Sequence, residues 1–413
     1  MKQIAIFSPN YSPELGACSS RIRLLAEHLK QEGNQVTVYT TFPNYPTGTI
    51  FSSYRKFLFK KLIYKENIDG INVARFSFYP SNSSSAIIRL FSMMSLALSW
   101  LLAFPLLKKQ QPQTILVQSP PLLPVFTVWI LSKWIAKKNN IPTLILNLSD
   151  LYPRVLLDLD KIKGHTIYNL LLKFEAFLYK KMDFIIGQSD EIVEYVKKNV
   201  PSTPVVLYRN GVDSKDFKVK ENYQIETKSP IKLVYAGLLG VVQGVLQMLE
   251  NVDFDKLNAE LHLYGNGNER KLIENFIIRN KKKNIFLHPA ISQNEIAQKL
   301  ADYDAAIVIQ KKQILGTVPS KIYEAMAAGL PILLLGSGES AMLVKKYDVG
   351  LVVELSENKQ TSSINYKLLS DKIRTLKEIT FTQRKNFGQN GRKAAENIFD
   401  KKMQFKNIKT LFE

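Results

Sequence analysis

Thiols and imidazoles are scarce in this 413-residue chain, which has one cysteine, Cys18, and four histidines. A lone cysteine excludes an internal disulfide, and so small a donor set argues against a Cys/His zinc site. Carboxylates are the minority charge: 36 Asp and Glu stand against 56 Lys and Arg, a formal net charge of +20. None of the Asp-x-Asp pairs is read as a metal motif, and no metal is expected. Met1-Lys-Gln-Ile-Ala-Ile-Phe7 enters a strand directly and lacks the long apolar region and cleavage site of a secretory signal. The expectation is a cytosolic or cytosol-facing protein. The basic balance suits an anionic partner: nucleic acid, an acidic membrane surface or a phosphorylated substrate.

What is present is apolar residues, 46% of the chain, enough over this length to give two domains a core each. Strands are expected at Gln3–Phe7, Gln35–Thr41, Ile71–Ser77, Thr114–Gln118, Pro142–Asn147 and Asp183–Gly187, with helices between them. One of these helices, Ser19–Glu32, carries Ile22, Leu25, Ala26 and Leu29 on one side. Phe42–Gly70 reads as a polar, aromatic insertion. After Asn210-Gly-Val-Asp213 the pattern restarts, with strands at Ile231–Ala236, Glu260–Tyr264, Asn284–His288, Ala305–Gln310, Leu330–Leu335 and Val349–Val353. Asp213–Pro230 reads as a linker-like loop and Thr380–Glu413 as helices. This alternation implies two α/β domains, each a parallel sheet with helices on both faces, and ligands of such sheets bind beyond the carboxyl ends of the strands.

From Gly316 to Leu335 a loop, a helix and a strand follow without slack. Pro319 and Ser320 are expected to start the helix, with Ser320 capping free N–H groups, and Gly329 to end it. Lys321 and Glu324 share a face, while Ala325, Ala327 and Ala328 permit close packing. A helix N-terminus favours anions, so a lysine for phosphate and a carboxylate for hydroxyls make a nucleotide-sugar socket. Tyr235–Gly244 runs a strand into a glycine loop whose N–H groups, around Gly237 and Gly240, can meet a diphosphate. Gly265 marks a second glycine turn, and Gly336–Ala341 begins a helix in which Glu339 and Ser340 can take sugar or phosphate. Asn210-Gly211 supports a tight turn with positive φ. In the first half, Gly16 and Ala17 let the backbone approach a ligand, and Arg21 and Arg23 point at an anionic acceptor or at solvent. Asn44 and Tyr45 suit sugar recognition. Asp150 follows a strand and either orients or deprotonates an acceptor hydroxyl or caps a helix.

Taken in order, these motifs resemble those of family 4 retaining glycosyltransferases, over nearly the full chain. Pro13-Glu-Leu-Gly-Ala17 is similar to the family's Pro-Glu-x-Gly-Gly opening, with Ala17 for the second glycine. Phe42-Pro-Asn-Tyr-Pro-Thr-Gly48 resembles a bacterial polysaccharide subgroup that includes fucosaminyl transferases of O-antigen pathways. Asp150, Leu151 and Pro153 match an Asp-Leu-Trp-Pro element in which Tyr152 replaces Trp. Glu324 matches the second of the family's paired glutamates, which binds the nucleotide ribose, while Gly316 stands at the place of the first. Leu238 and Gln243 occupy the positions where many relatives carry Arg and Lys for phosphate, so Arg209 and Lys321 become the candidate phosphate cations. The backbone at Pro289 matches a nucleobase contact.

The resemblance implies a GT-B fold, two Rossmann-like domains facing across a cleft. Residues 1–208 would bind acceptor and membrane, and 209–394 would bind donor, with helices about 395–413 crossing back. It implies transfer of a sugar from a UDP-linked donor, such as an N-acetylated amino sugar, to a polyprenyl-diphosphate-linked glycan. Asp150, Lys321 and Arg209 would be catalytic, with no cofactor. A UDP-sugar 2-epimerase of similar fold is the alternative. A basic nucleic-acid- or membrane-binding protein is a third; it lacks a basic-aromatic nucleic-acid motif.

Ala86–Leu107 is long and apolar enough to span a bilayer, with Ser92, Ser95 and Ser99 on one face. A sheet strand follows it at once, so it reads as a buried or in-plane helix. Val125–Ala136 carries Trp129 and Trp134 and runs into Lys137-Lys138, as Lys108-Lys109 closes the earlier helix. Such helices suit the cytosolic face of an anionic inner membrane, or are core helices with solvated basic ends.

Overall fold

The computed structural model describes residues 1–14, 16–58, 62–83, 85–158, 164–226, 228–358 and 361–413. Leu15, the variable position of the Pro-Glu-x-Gly-Ala motif, lies outside them. The chain divides into two units, Met1–Tyr208 with Phe405–Glu413, and Arg209–Gln404.

The first unit holds an eight-stranded sheet in the order β3-β4-β2-β1-β5-β6-β7-β8. Its strands are β1 Gln3–Phe7, β2 Gln35–Thr41, β3 Ile63–Ile68, β4 Ile71–Phe76, β5 Thr114–Ser119, β6 Thr143–Leu148, β7 Phe184–Gly187 and β8 Val205–Leu207. All neighbours are parallel except β3, which pairs antiparallel with β4. The edge strands β3 and β8 were not anticipated. β3 alternates exposed and half-buried residues and shows no apolar run, and β8, Val-Val-Leu, is an apolar run of only three residues. Running outward from β1, the order reverses between β1 and β5, a topological switch point.

The second unit has β9 Ile231–Ala236, β10 Ala259–Tyr264, β11 Ile285–His288, β12 Ala305–Ile309, β13 Ile332–Leu335 and β14 Gly350–Val353. They are all parallel, in the order β11-β10-β9-β12-β13-β14, so its switch point lies between β9 and β12. A hairpin, β15 Leu355–Asn358 with β16 Thr361–Ile364, follows. Parallel strands buried on both faces read as continuous apolar runs, which is why these were legible in sequence.

Three expectations are corrected. Residues 395–404 do not leave the second unit, because Ala395 and Phe399 are fully buried in its core; the return to the first begins at Phe405, which with Ile408 and Phe412 joins that unit's core. Asp213–Pro230 is no linker: Phe217 and Tyr223 are buried, and Tyr223 donates its hydroxyl hydrogen to the Gly329 carbonyl at 2.8 Å. Gly211 is not among the positive-φ glycines; a side chain there would meet the Phe399 carbonyl at 2.7 Å, so close approach explains it.

Among the described residues, Ala86–Gln110 is the one helical stretch long and apolar enough to cross a membrane. It leads directly into the core strand β5. It packs on Leu122–Ile135, which packs on His165–Tyr179 through Phe126–Phe174 and Trp129–Phe177 ring contacts. The outer surfaces stay apolar: Ile87 is 80%, Leu98 62% and Leu170 67% exposed. The last of these helices was not part of the apolar face expected from the sequence.

Candidate active site

In the second unit, five strand ends converge their loops on one edge. The loop after β9 carries Gly237 and Gly240. Gly237 and Leu239 donate their N–H groups to Tyr264 and Asn266 carbonyls at 2.9 Å, which fixes this loop to the one after β10. A side chain at Gly265 would lie 1.9 Å from the Gly237 carbonyl and one at Gly267 2.1 Å from that of Leu239. Gly265 is therefore a packing glycine, and the Gly237 N–H is engaged within the protein. Arg270 donates to the carbonyls of Gly265 at 2.6 Å and His288 at 2.8 Å, tying in the loop that begins at exposed Pro289.

After β12, helix Ser320–Ala327 starts with Pro319 at its cap position and no side-chain cap. Ser320 does not cap; its hydroxyl donates to Glu324 Oε1 at 3.2 Å. Lys321 Nζ donates to both Glu324 oxygens, at 2.9 and 3.1 Å, and Glu324 is buried. Gly329 ends the helix at φ +64°, as expected. The small residues serve close packing: helix Phe381–Asn397 crosses here, and a side chain on its Gly391 would meet Met326 Cα at 3.2 Å.

After β13, helix Gly338–Lys346 also begins without a side-chain cap, because Ser337 Oγ accepts from the Leu355 N–H at 3.0 Å instead. Its first turn holds Glu339 and Ser340, both buried. Glu339 pairs with buried Arg209, whose backbone N–H donates to Gln404 Oε1 at 2.7 Å. Uncapped N–H groups at such a terminus favour an anion.

The first unit gathers its own predicted residues. Glu14, passed over as a site residue, is the centre. Its Oε2 accepts from the Asn10 side chain and the Tyr11 N–H, both at 3.1 Å, and its Oε1 from the N–H groups of Asn44 at 2.7 Å and Tyr45 at 2.8 Å. The Tyr45 ring comes to 2.9 Å from where a Gly16 side chain would begin, so Gly16, Asn44 and Tyr45 form one cluster. Arg75, fully buried, ties the same loops through the Ser12 and Thr41 carbonyls and Glu66. Its signal was an arginine inside an apolar strand.

Arg21 points at neither acceptor nor solvent. It is buried, donates to Asn147 Oδ1 at 3.2 Å and the Tyr208 carbonyl at 2.7 Å, and lies over the Tyr208 ring. Arg23 is exposed and pairs with Glu27 and Asp69. Desolvation pushes the Cys18 thiol up to about 11, leaving it protonated at neutral pH. Asp150 is half-buried beyond the end of β6; the first turn of helix Tyr152–Asp158 closes on the Leu151 carbonyl, one residue later.

Among the described residues no three His, Cys, Asp or Glu side chains assemble as metal ligands. Asp253 and Asp255 share Lys282, while Asp302 and Asp304 pair with Lys218 and Lys220.

Residues 217–394 match the family model described as Glycosyl transferases group 1. Over 346 residues the chain is 24% identical to WcaI of Escherichia coli (strain K12), named as a colanic acid biosynthesis glycosyl transferase, covering 79% of this chain and 81% of that protein. Sucrose-phosphate synthase from Thermosynechococcus elongatus has a TM-score of 0.72 at 15% identity, over 100% of this chain and 98% of its own. Anabaena Alr3699/HepE in complex with UDP and glucose has 0.65 at 14%, over 100% and 99%. The chain thus has the two-domain GT-B fold, and within it residues 217–394 are similar to the group 1 glycosyl transferases.

Proposed function

We propose that this chain is a retaining glycosyltransferase of bacterial surface polysaccharide synthesis. It moves a sugar, an N-acetylated amino sugar in the fucosaminyl-type reading, from a UDP-linked donor to a polyprenyl-diphosphate-linked glycan. The observation that carries the reading is the edge at the second switch point. There a glycine loop, an uncapped helix with the Lys321–Glu324 pair, and a second uncapped helix with Arg209–Glu339 converge.

In this reading Glu324 takes the ribose hydroxyls. Lys321, Arg209 and the two helix dipoles stabilise the charge that grows on the leaving diphosphate, without a metal. Gln243, Ser340 and the Gly240 backbone complete the phosphate side. Asp150 orients the acceptor hydroxyl, and the Gly16–Asn44–Tyr45 cluster presents an aromatic ring to a sugar. That HepE binds UDP on the same fold supports the donor class, and the naming of WcaI for colanic acid supports the polysaccharide setting. The exposed apolar helices, with Lys108, Lys109, Lys137 and Lys138 near them, dock on the anionic cytosolic leaflet and bring the enzyme to a lipid-carried acceptor.

Incubation with labelled UDP-sugars, with and without a polyprenyl-diphosphate glycan, tests this. Label passing to the lipid with its anomeric configuration kept is the expected result. Epimerised nucleotide-sugar formed without acceptor would replace the reading with the epimerase, and no turnover of any UDP-sugar would sink it. Docking is checked by flotation with anionic vesicles, which changing those four lysines to Gln should reduce.

A further inference from the structure

Lys321 and Arg209 share a limitation: each faces a carboxylate. Glu324 lies 2.9 Å from Lys321 Nζ, and Glu339 pairs with the Arg209 guanidinium. Each pair is neutral as a unit, whereas a nucleotide diphosphate brings at least two negative charges. The glycine loop offers no cation of its own, since Leu238 and Gln243 are neutral.

A lysine from another loop lies against it. Lys311 follows β12 by two residues, and β12 is the neighbour of β9 across the switch point. Its stem lies on Gly244, the last residue of the glycine loop: a side chain at Gly244 would meet Lys311 Cδ at 3.1 Å and its Cβ and Cγ at 3.7 Å. Gly244 is left-handed, at φ +70°, so glycine both makes the turn and leaves room for the lysine. Among the described residues the Lys311 ammonium has neither a hydrogen bond nor an ion pair. On the helix after β13, which starts at the same sheet edge, the buried hydroxyl of Ser340 also has no hydrogen-bond partner among the described residues. Buried polar groups in that condition are of the kind a bound ligand satisfies.

We propose that Lys311 supplies the uncompensated positive charge for the donor's diphosphate, reaching the glycine loop from the loop after β12. The inference rests on the reading of this edge as a nucleotide-diphosphate-sugar site. A lysine serves phosphate as a flexible point charge, so it can act from a neighbouring loop.

Calorimetry on the full chain tests it with UDP and uridine as probes, each against wild type, Lys311→Gln and Lys311→Arg, and with GDP and ADP against wild type. Lys311→Gln should weaken UDP about tenfold, one charge-assisted contact, and leave uridine unchanged. It should also flatten the salt dependence of UDP binding, and Lys311→Arg should restore most of the affinity. Equal weakening of UDP and uridine would mark a structural role and overturn the proposal, as would unchanged UDP affinity. If wild type binds neither UDP, GDP nor ADP, the site reading itself fails and takes the proposal with it. UDP binding that survives Lys311→Gln intact overturns only the role of Lys311.

Discussion

At the carboxyl edge of the first sheet, one carboxylate, Glu14, holds two loops together by accepting four N–H groups. At the same edge of the second sheet the loops after β9 and β10 meet backbone to backbone: Gly265 and Gly267 let one loop's main chain lie directly on the next, and Arg270 ties in only the loop after β11. The same problem, fixing two loops at the carboxyl edge of a sheet, is solved by a charged side chain in one unit and by direct backbone contact in the other. The first solution is adjustable, since a hydrogen-bonded carboxylate tolerates some movement of its donors. The second is rigid, since a carbonyl 2 Å from a would-be Cβ leaves no room. Under the proposed function, a rigid socket suits a donor whose nucleotide must sit in one place, and adjustable loops suit an acceptor.

The largest effect that would test this contrast is at Gly267. Gly267→Ala puts a methyl group into the Leu239 carbonyl and should destabilise the second unit by about 3 kcal/mol or more, read as a lower urea midpoint. A midpoint equal to wild type would mean the two loops can part, and the rigid half of the contrast would fall. Glu14→Gln comes next. It leaves one acceptor oxygen and turns an NH2 group on N–H donors, and should cost about 2–3 kcal/mol. Hydrogen exchange should show the amides of Asn44 and Tyr45 losing protection while Leu239 keeps its own. Glu324→Ala should weaken uridine binding by about 1–3 kcal/mol, the cost of unpaired buried polar groups, with little change in melting temperature. Calorimetry showing equal uridine affinity would remove Glu324 from the donor site.

The smallest expected effect is a pH dependence confined to the second unit. His262 and His288 share a hydrogen bond of 2.9 Å between Nδ1 and Nε2, and desolvation lowers both below the usual 6.5. Histidines with depressed folded values bind fewer protons when folded than when unfolded. Their contribution is therefore full above about 6.5 and is lost as pH falls from there towards the folded values. Thermal melts between pH 7.5 and about 5 should show that decline, and His288→Gln should flatten it. A decline that persists unchanged in this variant would have to come from other groups.

Some of this was legible in residue order. The core strands were, because parallel strands buried on both faces must be apolar throughout, and the helix Ser320–Ala327 was, because glycine stops it and lysine and glutamate share a turn. The edge strands β3 and β8 were not: half-exposed β3 has no apolar run to find, and the run in β8 is only three residues long. Glu14 was quoted within a motif and still missed as a centre, because two of its four donors come from a loop thirty residues away. Arg21 was taken for a ligand-facing or solvated charge because nothing local reveals that Asn147 and the Tyr208 carbonyl enclose it.

By itself, the sequence determined the periodicity: which stretches are strands, where glycine must end a helix, and that two α/β units follow one another. Those are local properties, set by side-chain burial every second or fourth residue and by the conformational freedom of single glycines. Only the tertiary structure decided which charges neutralise one another and which lysine comes to lie on the glycine loop. Lys311 and Gly244 are 67 positions apart in the chain and meet only because β9 and β12 are neighbours in the sheet. Strand order is fixed by how the whole sheet buries its faces, and no local window of residues carries that information.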